Sequence, residues 1–414
     1  MAVICCLCLF FQAVVPQILF AAETSGYYYP AEWEDHDSLW LGFRTSREGI
    51  EYEPVLRQML VALTERVHVN LVVESLNTFL DKEEYLSSPD LKPQNIAIVP
   101  THSEYFWLRD TGPIFLQNAR GEIRILAAPF TRYRSLYDPQ ATLSIANHQK
   151  FIDSMAQRLG IAVLPADIVL EGGAFDVNGA GVVILSSTIL DRNPRLSRVE
   201  IEKRILQLLG QKKAIWLGQG IAEDPYGFSR ITGSYWGRGT GGHLDQFVRF
   251  VNKNTVLLAW VPDAEKESSP IAKINFQRMH KNFEILSEST DLEGRKFNII
   301  KVPFPPLTTY NYTITKEFEP FYKKRHLDLE EGDEIIVVAA ASYLNFVVTN
   351  NLILLPVYEQ NRENEATSGR DECMLKVMKQ LFPRHDIVQI DPLRLNWHGG
   401  GMHCLLQQQP APFP

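Results

Sequence analysis

The sequence has few cysteines, no run of basic residues and no linker-like segment, and each shortage excludes a class of protein. Only five cysteines occur in 414 residues, and three of them are Cys5, Cys6 and Cys8. The two that remain, Cys373 and Cys404, cannot build the disulfide framework of a small secreted domain. The 41 basic residues are outnumbered by 49 acidic ones, which gives a net charge of −8 at pH 7. This balance, without any Lys/Arg-rich run, argues against a nucleic-acid partner.

The remaining composition is typical of a folded globular protein. Hydrophobic residues make up 45% of the chain and charged residues 22%, which excludes a disordered, fibrous or coiled-coil protein. The length is compatible with one large domain or with two to three domains of average size. No Gly/Ser-rich or low-complexity tract divides the chain after Gly26. We therefore expect a single domain.

The first 22 residues predict a secretory signal peptide. The segment Ala2–Ala22 carries no charged side chain and ends in small residues before a polar stretch, as signal peptides do. Two features weaken this prediction, because no basic residue precedes the apolar stretch and Pro16 interrupts it. A cleaved signal would give a secreted or periplasmic protein without stable membrane association. The alternatives are an uncleaved membrane anchor and a cytoplasmic protein whose start site is misassigned.

Strand-like and helix-like patterns of apolar residues alternate along the chain. The runs that predict strands are His68–Val73, Gly121–Leu126, Val182–Leu185, Thr255–Trp260, Glu334–Val338 and Leu352–Leu355. Those that predict helices are Glu53–Glu65, Asn147–Leu159, Arg198–Leu209, Ile271–Leu286 and Asp371–Leu381. Ser197 and Glu200 have the spacing of a capping box at the start of the third helix. This alternation favours an α/β fold.

Five short segments combine glycine or polar side chains with titratable residues between apolar runs, where loops usually carry functional groups. They are Trp107–Pro113, Leu170–Gly173, Gly239–Asp245, Ala341–Asn345 and Gly399–Cys404. In the first segment, Asp110 is either the cap of a turn or a carboxylate held out for a cation. In the second, Glu171 ends an apolar run, where a buried acid must be paired or hydrogen-bonded.

The third segment contains a His-x-Asp pair that leads into the apolar run Phe247–Phe250. If His243 and Asp245 belong to a strand, both side chains project from one face because they are two residues apart. An imidazole beside a carboxylate can transfer protons. Metal ligation is the rival interpretation, but no HExxH motif accompanies the pair.

The last two segments offer an amide and a thiol. Asn345 either fixes a loop or hydrogen-bonds a substrate. Cys404 follows three glycines, which let the backbone approach a ligand closely. A buried cysteine is most often structural, but a glycine-rich turn that delivers a cysteine to a site with acids and a histidine is typical of a thiol nucleophile.

Taken together, these residues are more specific than any one of them. In their order and their glycine contexts they resemble the guanidino-group-modifying superfamily, specifically the agmatine deiminase and bacterial peptidylarginine deiminase family. The residues that carry the resemblance are Asp110, Glu171, His243, Asp245 and Cys404, with further matches at Pro30-Ala31-Glu32-Trp33, His36, Asn193-Pro194 and Gln407–Pro410. The resemblance implies a pentein-type α/β fold, a five-bladed propeller of ββαβ modules, with residues 26–414 as one catalytic domain.

The resemblance also implies a mechanism. Asp110 and Asp245 would hold the guanidinium nitrogens through charge-assisted hydrogen bonds. The thiolate of Cys404 would attack the central carbon, and a cation beside it would lower its pKa. His243 would protonate the leaving ammonia and then activate water. The products are a ureido compound and ammonia, and the reaction needs no metal or organic cofactor.

Other residues are implied in substrate binding. Glu171 would orient His243 or add a further carboxylate, and Trp107 and Asn345 would contact the substrate. The implied partner is a small cationic guanidine or an Arg-containing peptide, and the resemblance leaves a homo-oligomer open.

The identity of the guanidine depends on two arginines. Arg132 and Arg134 are two residues apart, so on a strand they would share one face and clamp a carboxylate. In position and spacing they resemble the carboxylate-binding arginines of bacterial peptidylarginine deiminase; the bland alternative is two exposed arginines on a loop. We therefore expect a peptidylarginine or C-terminal arginine substrate. The triglycine motif and the Gln-rich tail favour the alternative, conversion of agmatine to N-carbamoylputrescine in putrescine biosynthesis.

Rival functions use similar residues but differ in their products. An amidinotransferase would pass the amidino group to an amine and release little ammonia. A thiol protease would cleave a peptide bond and leave the guanidinium intact, and a silent guanidine-binding protein would bind without turnover. An assay for ureido product and ammonia separates all three from a deiminase.

Overall fold

The computed structural model describes residues 26–44, 46–47, 50–75, 89–101, 106–324, 327–359 and 369–412. The segment for which we expect a signal peptide, residues 1–22, lies outside these residues. Among the helices in the described ranges, none has the length and apolar character needed to cross a membrane. Cys373 and Cys404 are both free thiols, the first exposed and the second buried.

Helices of very different length occur in the described ranges. They are α1 (Glu53–Thr64), α2 (Leu108–Thr111), α3 (Ala141–Leu159), α4 (Thr188–Arg192), α5 (Arg198–Leu208), α6 (Pro270–Glu288), α7 (Glu319–Lys324), α8 (Arg370–Leu381) and α9 (Leu393–Asn396). The longer ones bury one face each, as amphipathic helices packed on sheets do.

The strands of the first half of the chain are β1 (Tyr27–Tyr28), β2 (His36–Gly42), β3 (Ser46–Arg47), β4 (Ile50–Glu51), β5 (His68–Val73), β6 (Ile96–Pro100), β7 (Ile114–Asn118), β8 (Ile123–Ala127), β9 (Val163–Pro165), β10 (Phe175–Val177), β11 (Val182–Ser186) and β12 (Lys213–Leu217). Those of the second half are β13 (Tyr226–Thr232), β14 (Tyr235–Thr240), β15 (Val248–Asn252), β16 (Thr255–Trp260), β17 (Asn298–Pro303), β18 (Thr309–Thr313), β19 (Glu334–Val338), β20 (Val347–Thr349), β21 (Leu352–Pro356), β22 (Asp386–Ile390) and β23 (Leu406–Pro410).

Within the described residues, five sheets repeat one pattern. A first strand runs antiparallel to a second, and a helical connection leads from the second to a parallel third strand. In strand order the units are β23-β2-β5, β7-β8-β9, β10-β11-β12, β15-β16-β17 and β20-β21-β22. The helices that make the parallel connections are α1, α3, α5, α6 and α8, as a parallel pair requires a crossover. The last strand of the chain therefore completes the first unit, because β23 pairs with β2.

The middle strands of these units explain why their sequences read as continuous apolar runs. Every residue of β11 and of β21 is buried, as expected for strands covered on both faces.

The capping box at α5 is confirmed, because the Ser197 side chain accepts from the backbone N of Glu200 and the Glu200 carboxylate accepts from the Ser197 N–H. The predicted strand at Gly121–Leu126 begins later, because Gly121 has a φ of 75° and lies in the preceding turn.

A sixth sheet is inserted between units and was only partly predicted. It has the strand order β13-β14-β19-β18, with β14 parallel to β19. Only β19 was recognised from the sequence; the β13 and β14 segments are rich in glycine, polar and exposed residues and lack a buried apolar run. This sheet bears on function because β14 ends at Thr240, immediately before the glycines that lead to His243.

Candidate active site

The candidate residues occupy equivalent places in the five units. Each lies on the short segment directly before the first strand of its unit, and five such segments meet at one site. The order is Asp110 before β7, Glu171 before β10, His243 and Asp245 before β15, Asn345 before β20 and Cys404 before β23. All six side chains are buried. Thus each unit supplies at least one functional group.

Cys404 lies on a 3₁₀ turn, His403–Leu405, that follows the triglycine segment. Its Sγ is 3.5 Å from Asp245 Oδ2 and 3.3 Å from Asn345 Nδ2. Gly401 is required here, because a Cβ at this position would lie 2.5 Å from Asn345 Oδ1. The thiol is therefore held directly against the amide and one carboxylate, as the sequence predicted for a group delivered into a site.

Asp110 lies on the one-turn helix α2, and its carboxylate points into the site. Its Oδ1 accepts a hydrogen bond from the backbone N of Gly173 at 3.0 Å, and its Oδ2 accepts one from the Tyr133 hydroxyl at 3.0 Å. Burial raises the pKa of Asp110 to about 6, with Glu171 and Asp245 adding to this rise and His243 opposing it. The carboxylate is ionised at neutral pH and still has lone pairs for a cation.

His243 lies between two carboxylates. Its Nδ1 is 3.6 Å from Asp110 Oδ1, and its Nε2 is 3.6 Å from Glu171 Oε2. Burial by itself would lower the pKa of His243, but the charges of Asp110 and Glu171 outweigh it and raise the pKa to about 9. The ring is therefore protonated at neutral pH and is available as an acid.

Glu171 is buried and paired, as the sequence argument required. Arg192 Nε donates to its Oε1 at 3.0 Å. Burial would raise the pKa of Glu171, but Arg192 and His243 lower it to about 2. Its Oε2 has no hydrogen-bond partner among the described residues and faces His243, so Glu171 lies where it orients the imidazole.

The His-x-Asp pair does not belong to a strand, so the shared strand face considered for it does not form. His243 precedes a 3₁₀ turn, Leu244–Gln246, and β15 starts only at Val248. The segment is shaped instead by Asp224, whose carboxylate accepts from the backbone N–H groups of Thr240, Gly242 and His243. A distant carboxylate thus fixes the backbone of this segment, which the local spacing could not reveal.

Asp245 completes the acid set around the thiol. Its Oδ2 lies 2.8 Å from His403 Nδ1 and accepts from Asn345 Nδ2 at 3.1 Å, while its Oδ1 is buried without a hydrogen-bond partner among the described residues. Burial would raise the pKa of Asp245, but the bond to His403 and its charge lower it. One oxygen is therefore held in place while the other remains available.

The free protein does not favour the thiolate. Burial raises the pKa of Cys404 well above its usual range, and the carboxylates of Asp245 and Asp110 raise it further. The lowering expected from a neighbouring cation is thus not produced by His243. A cation placed between the two aspartates would offset both negative charges.

A cavity of about 550 Å³ reaches Asp110 and Cys404. Trp107, half-buried, and Tyr133 also form its wall, together with the arginines Arg44, Arg47, Arg132 and Arg238. Asp110 and Cys404 are buried, whereas these four arginines are half-buried or exposed. The cavity is therefore acidic at its inner end and basic towards solvent.

The shared strand face predicted for Arg132 and Arg134 is wrong. Both lie in a turn, where Arg132 and Tyr133 have φ values of 54° and 64°. Arg134 is paired with Asp138 at 2.9 Å, and of the two arginines it is Arg132 that lines the cavity. Positive φ at two consecutive residues turns the chain, and the two arginines do not form a clamp.

The residue between them reaches the site instead, and the sequence analysis missed it. The Tyr133 ring lies edge-on to His243, with 5.8 Å between the ring centres, and its hydroxyl donates to Asp110. Arg192 and Asp224 were also missed. Each pairs with or anchors a recognised residue from a distant part of the chain, and no local motif marks them.

A metal site is not formed by these groups. Within the described part of the chain, no cluster of three or more His, Cys, Asp or Glu side chains is arranged to hold a metal ion.

Comparisons with known proteins show what this chain is similar to. The agmatine deiminase of Pseudomonas aeruginosa (strain UCBPP-PA14) is 29% identical over 403 residues, covering 94% of this chain and 97% of that protein. The agmatine deiminase of Pseudomonas fluorescens (strain SBW25) is 29% identical over 404 residues, with coverage of 94% and 97%. Among solved structures, the agmatine deiminase of Enterococcus faecalis, recorded catalysing its reaction, has a TM-score of 0.72 at 25% identity and covers 94% of this chain and 98% of its own.

The family itself is established by a profile match over nearly all of the described chain. The profile of the Porphyromonas-type peptidyl-arginine deiminases matches residues 28–410. The match includes all five units and all six candidate side chains, and solved deiminases share the α/β single-domain fold. This chain therefore belongs to the Porphyromonas-type peptidyl-arginine deiminase family and is a hydrolase that acts on a guanidino group.

Proposed function

We propose that this hydrolase converts agmatine to its ureido product and ammonia through a covalent intermediate on Cys404. The observation that carries the proposal is the position of the Cys404 thiol, 3.5 Å from Asp245 and at the inner end of a cavity that Asp110 also lines. Two carboxylates beside one thiol suit a planar cation that is attacked at its centre.

Substrate binding converts the Cys404 thiol to the nucleophilic thiolate. Asp110 and the free oxygen of Asp245 accept the N–H groups of the guanidinium, which is always charged at neutral pH. The bound cation offsets the two negative charges that raise the pKa of Cys404, so the thiol loses its proton once the substrate is present. It follows from this electrostatic balance that the Cys404 thiol is poorly reactive in the free enzyme and reactive in the substrate complex.

In the first half-reaction, the Cys404 sulfur forms a bond to the central guanidinium carbon and gives a neutral tetrahedral adduct. The His243 imidazolium then gives its proton to one nitrogen, the C–N bond breaks, and ammonia leaves. A cationic thiouronium remains on Cys404 and His243 is neutral.

In the second half-reaction, neutral His243 takes a proton from water as the water oxygen bonds to the same carbon. The C–S bond breaks and the thiolate is restored. The O-protonated ureido product gives its remaining proton to solvent, where that proton converts the released ammonia to ammonium. Glu171 keeps the imidazole in place in both steps. The sum is guanidinium plus water giving ureido product plus ammonium.

Agmatine is favoured over an arginine by two observations. Agmatine deiminases are 29% identical along 94% of this chain. The paired arginines that would clamp a carboxylate do not act together, because Arg134 is held by Asp138.

A second candidate, an arginine or a peptide ending in arginine, is favoured by the basic outer half of the cavity. Arg132 and three further arginines line it. A carboxylate there would be attracted, whereas the ammonium of agmatine would be repelled. The turnover ratio of the two substrates therefore reports which charge the outer cavity selects.

We also propose that the five units close into a ring around the site, the five-bladed propeller that the resemblance implies. Two observations support it: β23 joins the two ends of the chain in one sheet, and equivalent segments of all five units meet at the site.

Measuring ammonia and ureido product with agmatine, free arginine and Arg-ended peptides tests the proposal. We expect kcat/KM to be highest for agmatine, and Cys404→Ser to abolish turnover while Cys373→Ser, which removes the exposed thiol, does not. Higher kcat/KM for an Arg-ended peptide would assign the second substrate. Turnover by Cys404→Ser would refute the nucleophile.

A further inference from the structure

Two sequence features have no part in the mechanism above, the segment Pro30–Trp33 and the histidine that precedes Cys404. They meet in the structure. His403 Nδ1 lies 2.8 Å from Asp245 Oδ2, and its Nε2 lies 2.8 Å from Glu32 Oε2. His403 is buried, so water does not replace these contacts.

The two short contacts define the protonation of the ring. An ionised carboxylate only accepts hydrogen bonds, and a neutral imidazole has one N–H. The two oxygens that face His403 also accept hydrogen bonds from other donors, Glu32 Oε2 from Arg249 Nη2 at 2.6 Å and Asp245 Oδ2 from Asn345 Nδ2 at 3.1 Å, so both act as carboxylate acceptors. Each ring nitrogen of His403 must then donate, which makes the ring an imidazolium.

Arg249 extends this network of charged side chains away from the active site. Its Nη2 donates to Glu32 Oε2 at 2.6 Å, and its Nη1 donates to the carbonyl oxygens of Leu344 and Phe346 at 3.1 Å each. These carbonyls flank Asn345, which itself contacts Asp245 and Cys404. The order Arg249, Glu32, His403, Asp245 alternates positive and negative charge, which suits a buried network, and Asp176 Oδ2 also faces Arg249 Nε at 3.6 Å.

At the active site, this network of charged side chains ends at one oxygen atom of Asp245. Asp245 Oδ2 is used by His403 and Asn345, whereas its Oδ1 is buried and has no hydrogen-bond partner among the described residues. A buried acceptor without a partner costs free energy unless a ligand supplies the donor. The guanidinium of the proposed substrate is such a donor.

We propose that His403 is a positioning residue: a buried imidazolium, held by Glu32 and Arg249, that keeps Asp245 ionised with Oδ1 free for the guanidinium. The inference rests on the proposed guanidine substrate. It gives the Pro30–Trp33 segment a role, because Glu32 of this segment holds His403. His403 itself acts through Asp245 and does not contact the reacting carbon.

The test is the pH dependence of agmatine binding to Cys404→Ser, which we expect to bind agmatine without turning it over, measured by calorimetry from pH 5 to 9. Adding His403→Asn keeps a donor but removes the charge. We expect agmatine to bind about ten- to a hundredfold more weakly at pH 7, the range of a hydrogen bond to a charged group. As the pH is lowered, binding should also be lost at a higher pH than in Cys404→Ser alone, because Asp245 is protonated more easily without the imidazolium. In the enzyme with Cys404 intact, KM should rise more than kcat falls.

A matched control separates this effect from general disturbance. His36 is also buried, but its ring bonds the neutral Thr349 hydroxyl at 3.0 Å, and burial lowers its pKa to about 4. His36→Asn should leave the pH profile of binding unchanged.

A second variant keeps the proposal testable if His403→Asn does not fold. Glu32→Gln retains an acceptor for His403 but removes the charge that holds its proton, so binding should weaken as pH rises from 7 to 9. Unchanged affinity and pH profile in either folded variant would overturn the role of His403. If the parent Cys404→Ser binds no guanidine and the wild type releases no ammonia, the proposed function fails instead.

Discussion

At the scale of single residues, the site works by opposing shifts of pKa within one buried cluster. Burial raises the pKa of Asp110 to about 6, while the same carboxylate and Glu171 raise that of His243 to about 9 despite its burial. Between these values the aspartate is charged and the imidazole carries a proton. In the proposed mechanism, the cluster therefore offers a carboxylate for the cation and an acid for the leaving group together at neutral pH.

The thiol should be unreactive without substrate. In a Cys373→Ser background, with the alkylated peptide identified by mass spectrometry to separate Cys404 from Cys5, Cys6 and Cys8, alkylation of Cys404 by iodoacetamide should be slow at neutral pH and rise only in alkaline solution, because burial and two carboxylates raise its pKa. Asp110→Asn should move the midpoint of the alkylation rate to lower pH although it abolishes turnover. The exposed Asp263 provides the control Asp263→Asn, which should have no effect. A midpoint below pH 7 in the free enzyme would contradict this account.

Guanidine binding should be lost in acid with the charge of Asp110. Its pKa is raised from 3.8 to about 6, so affinity of Cys404→Ser for agmatine should fall below pH 6, by at most about tenfold per pH unit. Tyr133→Phe removes a hydrogen bond to the ionised form and should move this loss to higher pH. Binding titrations at several pH values measure both, and a flat profile down to pH 4 would exclude Asp110 as the binding carboxylate.

At the scale of elements, the site depends on short turns that precede strands. The sequence reveals these turns where glycines and an acid or thiol stand together, as at Glu171 and Cys404. It does not reveal their shape, because Asp224 fixes the His243 segment from a distance and Tyr133 enters the site through a turn with positive φ. The same limit explains the error at Arg132 and Arg134, whose spacing is compatible with a strand that does not form.

The turn before Cys404 should not tolerate a side chain at Gly401. Gly401→Ala places a Cβ 2.5 Å from Asn345 Oδ1, so the amide that contacts the thiol must move. A misplacement of about 1 Å can lower the rate by about a hundredfold, and we expect kcat to fall by that order. Gly218→Ala meets its nearest atom at 3.4 Å and serves as the control. Equal kcat values for the two variants would show that the turn geometry is not critical.

At the scale of the whole molecule, five similar units explain how distant segments meet. Composition and apolar patterning predicted an α/β chain and most of its longer helices and central strands, because buried runs and amphipathic faces are local properties. The pairing of β23 with β2 joins opposite ends of the described chain, as His36 with Pro410, and that of β14 with β19 joins distant segments, as Tyr235 with Ile336, so neither could be read locally. The resemblance to the deiminases implied five ββαβ modules, but it did not predict the inserted sheet.

Completion of the first unit by β23 should be essential for folding. A chain that ends at Leu405 keeps Cys404 but leaves β2, which is largely buried, without its antiparallel partner and exposes a sheet edge. We expect loss of cooperative thermal unfolding, measured by circular dichroism. A truncated chain that unfolds cooperatively at the same temperature would argue against a closed arrangement of units.

Mass spectrometry of the intact protein, quenched in acid during turnover of agmatine, tests the central claim most directly. The account predicts a covalent adduct on the peptide that contains Cys404, heavier by one substrate minus one ammonia, which disappears when the substrate is exhausted. Turnover without any adduct on Cys404, or an adduct on another residue, would contradict it.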